Sequence, residues 1–211
     1  MARYIGPQCR YCRAERRCLN LKGERCQTGK CPVRKKKGPP GKNPRDRFKK
    51  ISDYGLQLRE KQKLKRLYGM LEKQFYLTFK EADRLPGKTG EELIMLLERR
   101  LDNVVYRMRF AVSRNQARQL VTHGHILVNG KRVNIPSYIV REGDEISVKS
   151  QSQKMISIKE SLREFTKSGV YPWIQVDPDA MKGTFLAVPR RTEVTELEDI
   201  NEQLIVELYS R

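Results

Sequence analysis

Between Ser113 and Val133 the sequence permits little besides a short helix set directly on a β-hairpin. Ser113 with Gln116 three residues on fits a helix-opening capping box, Ala117, Leu120 and Val121 supply one apolar face, and Gly124 suits the left-handed position just past the end. Ile126-Leu-Val128 and Lys131-Arg-Val133 then flank Asn129-Gly130, a pair that tolerates the positive φ needed at both centres of a type I′ turn. Arg114 and Arg118, four apart, are expected to project together where the apolar stripe meets solvent. Two guanidiniums side by side repel, so the pattern calls for an anion between them.

Charge says which anion to expect. Lys and Arg total 44 against 25 Asp and Glu in 211 residues, a formal charge of +19. A surplus of that size repels itself unless a polyanion neutralises it, so nucleic acid is the expected partner. The charge is also uneven: residues 1–50 hold 17 basic against 3 acidic side chains, whereas residues 192–211 hold 1 against 6. The N-terminal quarter should therefore meet the polyanion, and the C-terminal end should pack on protein. No apolar run approaches the ~18 residues of a bilayer span, and the first residues lack the apolar core of a signal peptide. A soluble intracellular protein without a membrane partner is expected.

All five cysteines fall between Cys9 and Cys31. Cys9-Arg-Tyr-Cys12 and Cys26-Gln-Thr-Gly-Lys-Cys31, thirteen residues apart, match a tetrahedral metal knuckle, in which each tight turn points two thiolates at one ion. Cys9, Cys12, Cys26 and Cys31 are the expected ligands and Zn2+ the expected ion, with a four-cysteine iron–sulfur cluster as the alternative. Cys18 belongs to neither close pair, and by spacing alone it could exchange with Cys26. A closed four-thiolate site is structural, a rigid platform for Arg10, Arg13, Arg16, Arg17 and Arg25. Residues Pro32 to Arg47 follow with four prolines and almost nothing to bury, and should be disordered unless ordered on a phosphate backbone.

From Ser52 the pattern is helical, with Leu56, Leu64, Leu67, Leu71 and Phe75 on one side and Arg59, Lys61, Lys63, Lys65 and Arg66 around the remainder. A second piece runs from Phe75 to Leu85 and stops at Pro86-Gly87. A third opens at Thr89 with Glu92 as a capping box and should continue without interruption to Met108. Beyond the hairpin, residues 138–149 give two alternating segments about a Glu142-Gly-Asp144 turn, Ser157 opens a helix ending at Gly169, and Trp173–Val176 and Thr184–Val188 read as strands. A last helix spans Glu196 to Tyr209, apolar and acidic, and should pack back on the helices of 52–85. The fold class is therefore α+β: a mostly helical domain, an inserted α/β module with a small antiparallel sheet, and an N-terminal four-cysteine knuckle. The expected divisions are 1–47 for the knuckle and basic arm, 48–98 plus 191–211 for the helical domain, and 99–190 for the module.

Nothing in the chain points to catalysis. His123 and His125 flank a turn with no nucleophile or carboxylate at a recognisable spacing, and no Gly-rich phosphate loop or His-Glu-x-x-His pattern occurs. Arg100-Leu-Asp102 resembles the Arg-Leu-Asp of RNA pseudouridine synthases, but Asn103-Val-Val follows in place of their Thr-x-Gly-Leu, so Asp102 reads as an ion-paired structural acid.

Arg99-Arg-Leu-Asp-Asn-Val-Val-Tyr-Arg-Met-Arg-Phe110, with Ser113-Arg-Asn-Gln-Ala-Arg-Gln-Leu-Val121, His123-Gly-His-Ile126 and Val128-Asn-Gly-Lys131, resembles the signature of the bacterial ribosomal protein S4 family. Arg3-Tyr4, Asp53-Tyr-Gly-Leu-Gln-Leu-Arg-Glu-Lys-Gln-Lys63 and Tyr171-Pro-Trp173 are similar to it as well, so the likeness covers the whole chain, and the cysteines resemble the zinc-binding subset of that family. The resemblance implies an S4-type RNA-binding domain at 99–190 and a primary binder of 16S ribosomal RNA at a 5′-domain junction. It also implies nucleation of subunit assembly, contact with ribosomal protein S5 that influences decoding accuracy, other small-subunit proteins as neighbours, a cytoplasmic place in the ribosome, and no small-molecule substrate. On the residues and the resemblance together, the expected RNA contacts are Arg3, Arg10, Arg13 and Arg25 in the knuckle, and Lys35, Lys36, Lys37 and Arg47 in the arm. Arg59, Lys63 and Arg66 follow on the first long helix, and Arg114, Gln116, Arg118, His123, His125, Asn129, Lys131 and Arg132 in the module. Backbone and shape recognition should dominate over base reading.

Overall fold

The computed structural model describes residues 3–41, 50–168 and 171–210; Arg47 and the greater part of the arm after Pro40 lie outside them. The chain divides into two units, one of residues up to 93 with those from 194 on, the other Ile94–Glu193. The second unit is thus an insertion in the first.

The first unit holds α1 (Gln8–Glu15), α2 (Asp53–Leu67), α3 (Glu72–Arg84), the start of α4 (Thr89–Glu98) and α8 (Glu202–Tyr209). Ser52 opens α2, its Oγ accepting from the Gly55 N–H at 3.2 Å. The apolar run expected to carry α2 on to Phe75 stops at Leu67. Gly69 takes φ 62°, its N–H bonds to Arg66 O and that of Met70 to Lys65 O, which closes the end as a Schellman motif. The buried stripe also differs from the expected one. It is Gln57, Lys61, Leu64 and Leu67, while Leu56 is exposed. The partner sets the face, because α8 packs on α2 and brings Glu207 to the Gln57 amide at 2.9 Å.

The C-terminal helix is shorter than its pattern. A 3-10 turn at Thr195–Leu197 buries Leu197 and Ile200, and Asn201 then starts α8, its Oδ1 accepting from the Gln203 N–H at 3.0 Å. At the far end Tyr209 donates to Glu72 Oε1 at 2.8 Å and lays its ring against Phe79, centroids 4.6 Å apart. Lys61 and Lys65 reach the same carboxylate at 2.6 and 2.7 Å.

The second unit contains α5 (Leu101–Arg107), α6 (Arg114–Thr122), α7 (Ile156–Ser168) and five antiparallel strands in the order β2-β1-β3-β5-β4. These are β1 (Ile126–Val128), β2 (Lys131–Arg132), β3 (Glu145–Val148), β4 (Ile174–Asp177) and β5 (Lys182–Phe185). Asn129 and Gly130 take φ 49° and 74°, the pair of positive values that the hairpin turn requires. Of the two segments expected within 138–149, only β3 joins the sheet; Ile139 makes an isolated bridge to Arg100. Leu101, Val104, Met108, Phe110, Val121, Ile126, Ile146 and Phe185 are fully buried and form the core between helices and sheet.

The helix expected to run unbroken from Thr89 to Met108 is interrupted at Arg99 and Arg100. Arg100 is extended (φ −65°, ψ 135°), and the freed amides of Leu101 and Asp102 bond to Tyr138 O and Pro136 O at 2.8 and 3.1 Å. Nor does Thr89 cap α4: it is the first helical residue, the Glu92 N–H bonds to Lys88 O at 3.0 Å, and the Thr89 hydroxyl donates to Asp83. The interruption turns Glu98 back onto Arg107, whose Nη2 and Nε donate to its two oxygens at 2.7 and 2.9 Å. Both side chains are at most 1% exposed. Asn103 Nδ2 adds a bond to Glu98 Oε2 at 2.8 Å, and Arg107 Nη1 donates to the Tyr171 hydroxyl at 3.0 Å.

Arg107→Ala leaves Glu98 buried without its counter-ion, and should lower the stability of the inserted unit by about 3–5 kcal/mol; an urea-unfolding midpoint unchanged from wild type would contradict this. The Glu72 hub gives a pH dependence. Partial burial pushes this carboxyl up, but hydrogen bonds from Lys61, Lys65 and Tyr209 outweigh it and hold the group at about 2, below its usual 4.5. A depressed carboxyl stabilises the fold fully above 4.5 and loses that contribution as pH falls toward 2. Melting temperatures followed from pH 5 to 2 should fall more steeply for the wild type than for Glu72→Gln.

Candidate nucleic-acid interface

In the first unit the exposed cations gather on the N-terminal segment. Arg3, Arg10, Arg25, Lys35, Lys36 and Lys37 are exposed. Arg13 is half-buried, its Nε donating to Gly38 O at 2.8 Å, which folds residues 36–38 back onto α1. Arg13, Arg16, Lys36 and Lys37 line a cleft of about 250 Å³ with Val33 and Pro39. A cleft with four cations on its walls suits a phosphate, because arginine forks and lysine ammoniums both donate to it.

The expected contacts on α2 lie differently. Arg59 reaches Glu15 at 3.2 Å, Arg66 pairs with the same carboxylate and sits 4.6 Å from the Tyr11 ring centroid, and Lys63 pairs with Glu60. Burial raises the Glu15 carboxyl against the pull of Arg59 and Arg66. Each of the three cations thus has a carboxylate of the protein: Arg59 and Arg66 join α2 to α1 through Glu15, whereas the Lys63–Glu60 pair lies within α2.

The module repeats this division more sharply. Arg114 and Arg118 do not stand at a solvent edge, since each is 8% exposed. Arg114 Nε donates to Asn103 Oδ1 at 2.8 Å with its guanidinium 4.5 Å from the Tyr106 ring centroid. Arg118 reaches Asp102 Oδ2 at 3.1 Å, and Arg100 Nη2 holds the same oxygen at 2.7 Å. The Asp102 carboxylate takes Arg118 and the neutral Asn103 amide oxygen takes Arg114, so each guanidinium has a partner from inside the protein. Gln116 is likewise engaged: its backbone N–H donates to Ser113 Oγ, and its side-chain Oε1 accepts from the Val112 N–H. Asn129 spends its side chain on Asp144 and on the Glu145 N–H, fixing the hairpin turn.

What faces outward is the corner where α6 meets the hairpin. Gly124 takes φ 74° and lies so close to Arg132 that a Cβ would fall 2.1 Å from its Nε. His123, Lys131 and Arg132 are exposed. His125 Nδ1 lies 2.9 Å from Ser152 Oγ, and its imidazole is pushed below the usual value, first by burial and then by His123, Lys149 and Arg132. Lys149 belongs to this corner although sequence reasoning passed it over. The signal was the antiparallel register, which pairs Ile126 with Val148 and so sets Lys149 beside His125, their backbones bonded at 2.9 Å.

The cysteines sit in the same N-terminal segment as the cationic cleft. Cys12, Cys26 and Cys31 are buried, Cys9 and Cys18 half-buried, and all five are free thiols. Burial pushes Cys12 up, with the nearby Cys26, Cys9 and Cys31 adding to it, and Cys18 is pushed up to about 12 mainly by burial. At Cys31 burial acts in the same sense, yet backbone N–H groups of Arg34 and Val33 aimed at the sulfur bring it below the usual value. Amides aimed at sulfur favour thiolate, as a metal ligand needs. The donor chemistry fits a thiophilic ion. Among the described residues, however, no three Cys, His, Asp or Glu side chains converge as a ready-made metal site.

Two family models match the chain, one described as the ribosomal protein S4/S9 N-terminal domain over residues 3–98, the other as the S4 domain over residues 99–146. Proteins called small ribosomal subunit protein uS4 are similar from end to end. Those of Citrifermentans bemidjiense and Geobacter sulfurreducens are each 54% identical, and that of Thermus thermophilus 52%, over all 211 residues and the full length of each relative. The chain belongs to the uS4 family of small ribosomal subunit proteins.

Proposed function

We propose that this chain is a structural component of the bacterial small ribosomal subunit that binds its 16S ribosomal RNA, without enzymatic activity and in the cytoplasm. The observation that carries the reading is the sorting of cations. Carboxylates inside the protein take up Arg59, Arg66, Arg100, Arg107 and Arg118, while the N-terminal segment and the α6–hairpin corner keep theirs exposed. Such surfaces, basic and nearly free of exposed aromatics, suit phosphates and 2′-hydroxyls of folded RNA better than splayed bases. The relatives' name supports the assignment to the small subunit.

The finer reading is that the RNA target is a 5′-domain junction, that binding nucleates subunit assembly, and that ribosomal protein S5 is a neighbour through which decoding accuracy is influenced. Footprinting on 16S ribosomal RNA tests the first part, with protection confined to one junction as the expected result and diffuse protection as the contrary one. In the same reading Cys9, Cys12, Cys26 and Cys31 hold a structural Zn2+, the aimed amides at Cys31 supporting it; mass spectrometry of the native protein distinguishes zinc from iron. The bound ion would fix the knuckle and supply no reaction.

If roughly eight phosphates are neutralised, the log–log dependence of affinity on salt should have a slope of about −6 to −7. Lys131→Ala and Arg132→Ala should each reduce that slope by about one unit. Arg118→Ala, which unpairs part of a buried network, should instead lower the melting temperature while leaving the slope of the folded protein nearly unchanged; the opposite pattern would return Arg118 to the RNA surface. Chelation of the metal should increase amide exchange in residues 3–41 alone, and loosening of both units together would contradict a closed local site.

A further inference from the structure

Cys18 is the one cysteine that the four-thiolate reading does not use, and its sulfur lies 4.0 Å from that of Cys31. The two belong to different turns thirteen residues apart, so nothing in the local chain forces the contact. Cys18 stands after the end of α1, its thiol directed to the side chain of Asn20 at 3.5 Å and to the carbonyl of Cys26 at 3.9 Å. It is half-buried, whereas Cys31 is 3% exposed. One partner of the pair is therefore open to small solutes and the other is shielded. The pair is thus reachable by a small oxidant from one side and within a side-chain rotation of a sulfur–sulfur bond on the other.

We propose that Cys18 and Cys31 are a redox-sensitive dithiol that hydroperoxides close to a disulfide. In the first step Cys18 gives up its proton as its sulfur attacks the terminal peroxide oxygen and the O–O bond breaks, the departing alkoxide (hydroxide when the oxidant is hydrogen peroxide) taking that proton. The products are a sulfenic acid and an alcohol or water, and because burial keeps this thiol protonated this is the slow step. In the second step Cys31 sulfur attacks Cys18 sulfur, the S–O bond breaks, and water leaves with the Cys31 proton. Two electrons pass from the thiol pair to the peroxide. Side-chain rotation within the turns closes the gap to a bonding distance of ~2 Å. A further consequence rests on the four-thiolate reading: the new bond withdraws Cys31 from the ligand set, so oxidation should expel the ion and loosen the segment that carries the basic cleft.

The test uses the full chain, purified with its metal and treated with hydrogen peroxide, then digested with trypsin without reduction. Cleavage after Arg17, Lys22, Lys30 and Arg34 isolates Cys18 and Cys31 on separate short peptides, which makes their linkage directly visible by mass. The expected result is peptide 18–22 joined to peptide 31–34 as the principal disulfide, reversed by dithiothreitol and absent from Cys18→Ser. Linkage among Cys9, Cys12 and Cys26, or an over-oxidised Cys18 with no linkage, would overturn the proposal. A chromogenic chelator should report metal release in step with disulfide formation, slowed several-fold in Cys18→Ser. Metal content before oxidation is read separately: a metal-free protein that still joins Cys18 to Cys31 sinks the zinc reading and leaves the dithiol standing.

Discussion

The bidentate pair between Glu98 and Arg107 is the constraint on which the inserted unit depends. Two charges that are 1% exposed or less cannot be left half-satisfied, so the surrounding backbone is arranged to complete them. The chain leaves the helical path at Arg99–Arg100 so that Glu98 faces α5 rather than continuing along its own axis. Asn103 then donates to Glu98 Oε2 as well and offers its own Oδ1 to Arg114, which lies over Tyr106. Tyr171, from the segment before β4, closes the other side of Arg107. One buried carboxylate thereby fixes α4, α5, α6 and the approach to the sheet. Against an apolar core such a network adds little net stability, but it admits one arrangement, because every alternative leaves a charge unpaired.

The same logic recurs wherever carboxylates are few and cations many. Glu15 gathers Arg59 and Arg66, Glu72 gathers Lys61 and Lys65, and Asp102 gathers Arg100 and Arg118. Each acid serves two cations, which halves the number of acids needed to hold a basic interior together. The formal +19 therefore overstates what is presented to a partner helix by helix, and understates how concentrated the remainder is. Among the described residues, Arg10, Arg25, Lys35, Lys36 and Lys37 of the N-terminal segment and Lys131 and Arg132 of the α6–hairpin corner are exposed outside those carboxylate hubs, so their mutual repulsion is relieved by phosphate.

What could be read from the sequence was local. The Asn129-Gly130 turn, the left-handed Gly124 and the Ser113 cap are decided within a few residues, and each is present. What could not be read was which long-range partner claims a side chain. Arg114 and Arg118 carry the right spacing for a solvent edge, yet Asp102 and Asn103 lie eleven to sixteen residues upstream and draw them inward. The interruption at Arg100 shares that cause, since the Tyr138 and Pro136 carbonyls claim the freed amides. The stop at Leu67 and the shortened α8 are local, set by the left-handed Gly69 and the Asn201 cap that the apolar periodicity masked. Lys149 was missed for the complementary reason: strand register, not proximity in sequence, places it beside His125.

The acidic C-terminal segment follows from the same economy. A helix as basic as α2 has to bury Gln57 and Lys61 to pack at all, and a buried amine requires an acid close by. Glu207 meets Gln57, Tyr209 braces the Glu72 that holds Lys61, and further along Asp199 and the Glu196 carbonyl take Arg17 at 3.2 and 3.1 Å. The last residues of the chain thus cover the inner face of its most basic helix and tie down the segment that follows α1. Removing acid there would leave Arg17 seeking a counter-ion and Gln57 without its acceptor, while Lys61 would keep Glu72 but lose the Tyr209 brace on it. An incoming phosphate would compete with the fold for Arg17. The C-terminal segment therefore keeps Arg17 committed directly and Lys61 indirectly, through the Tyr209 brace on Glu72, so that the RNA meets the cations that the protein leaves exposed.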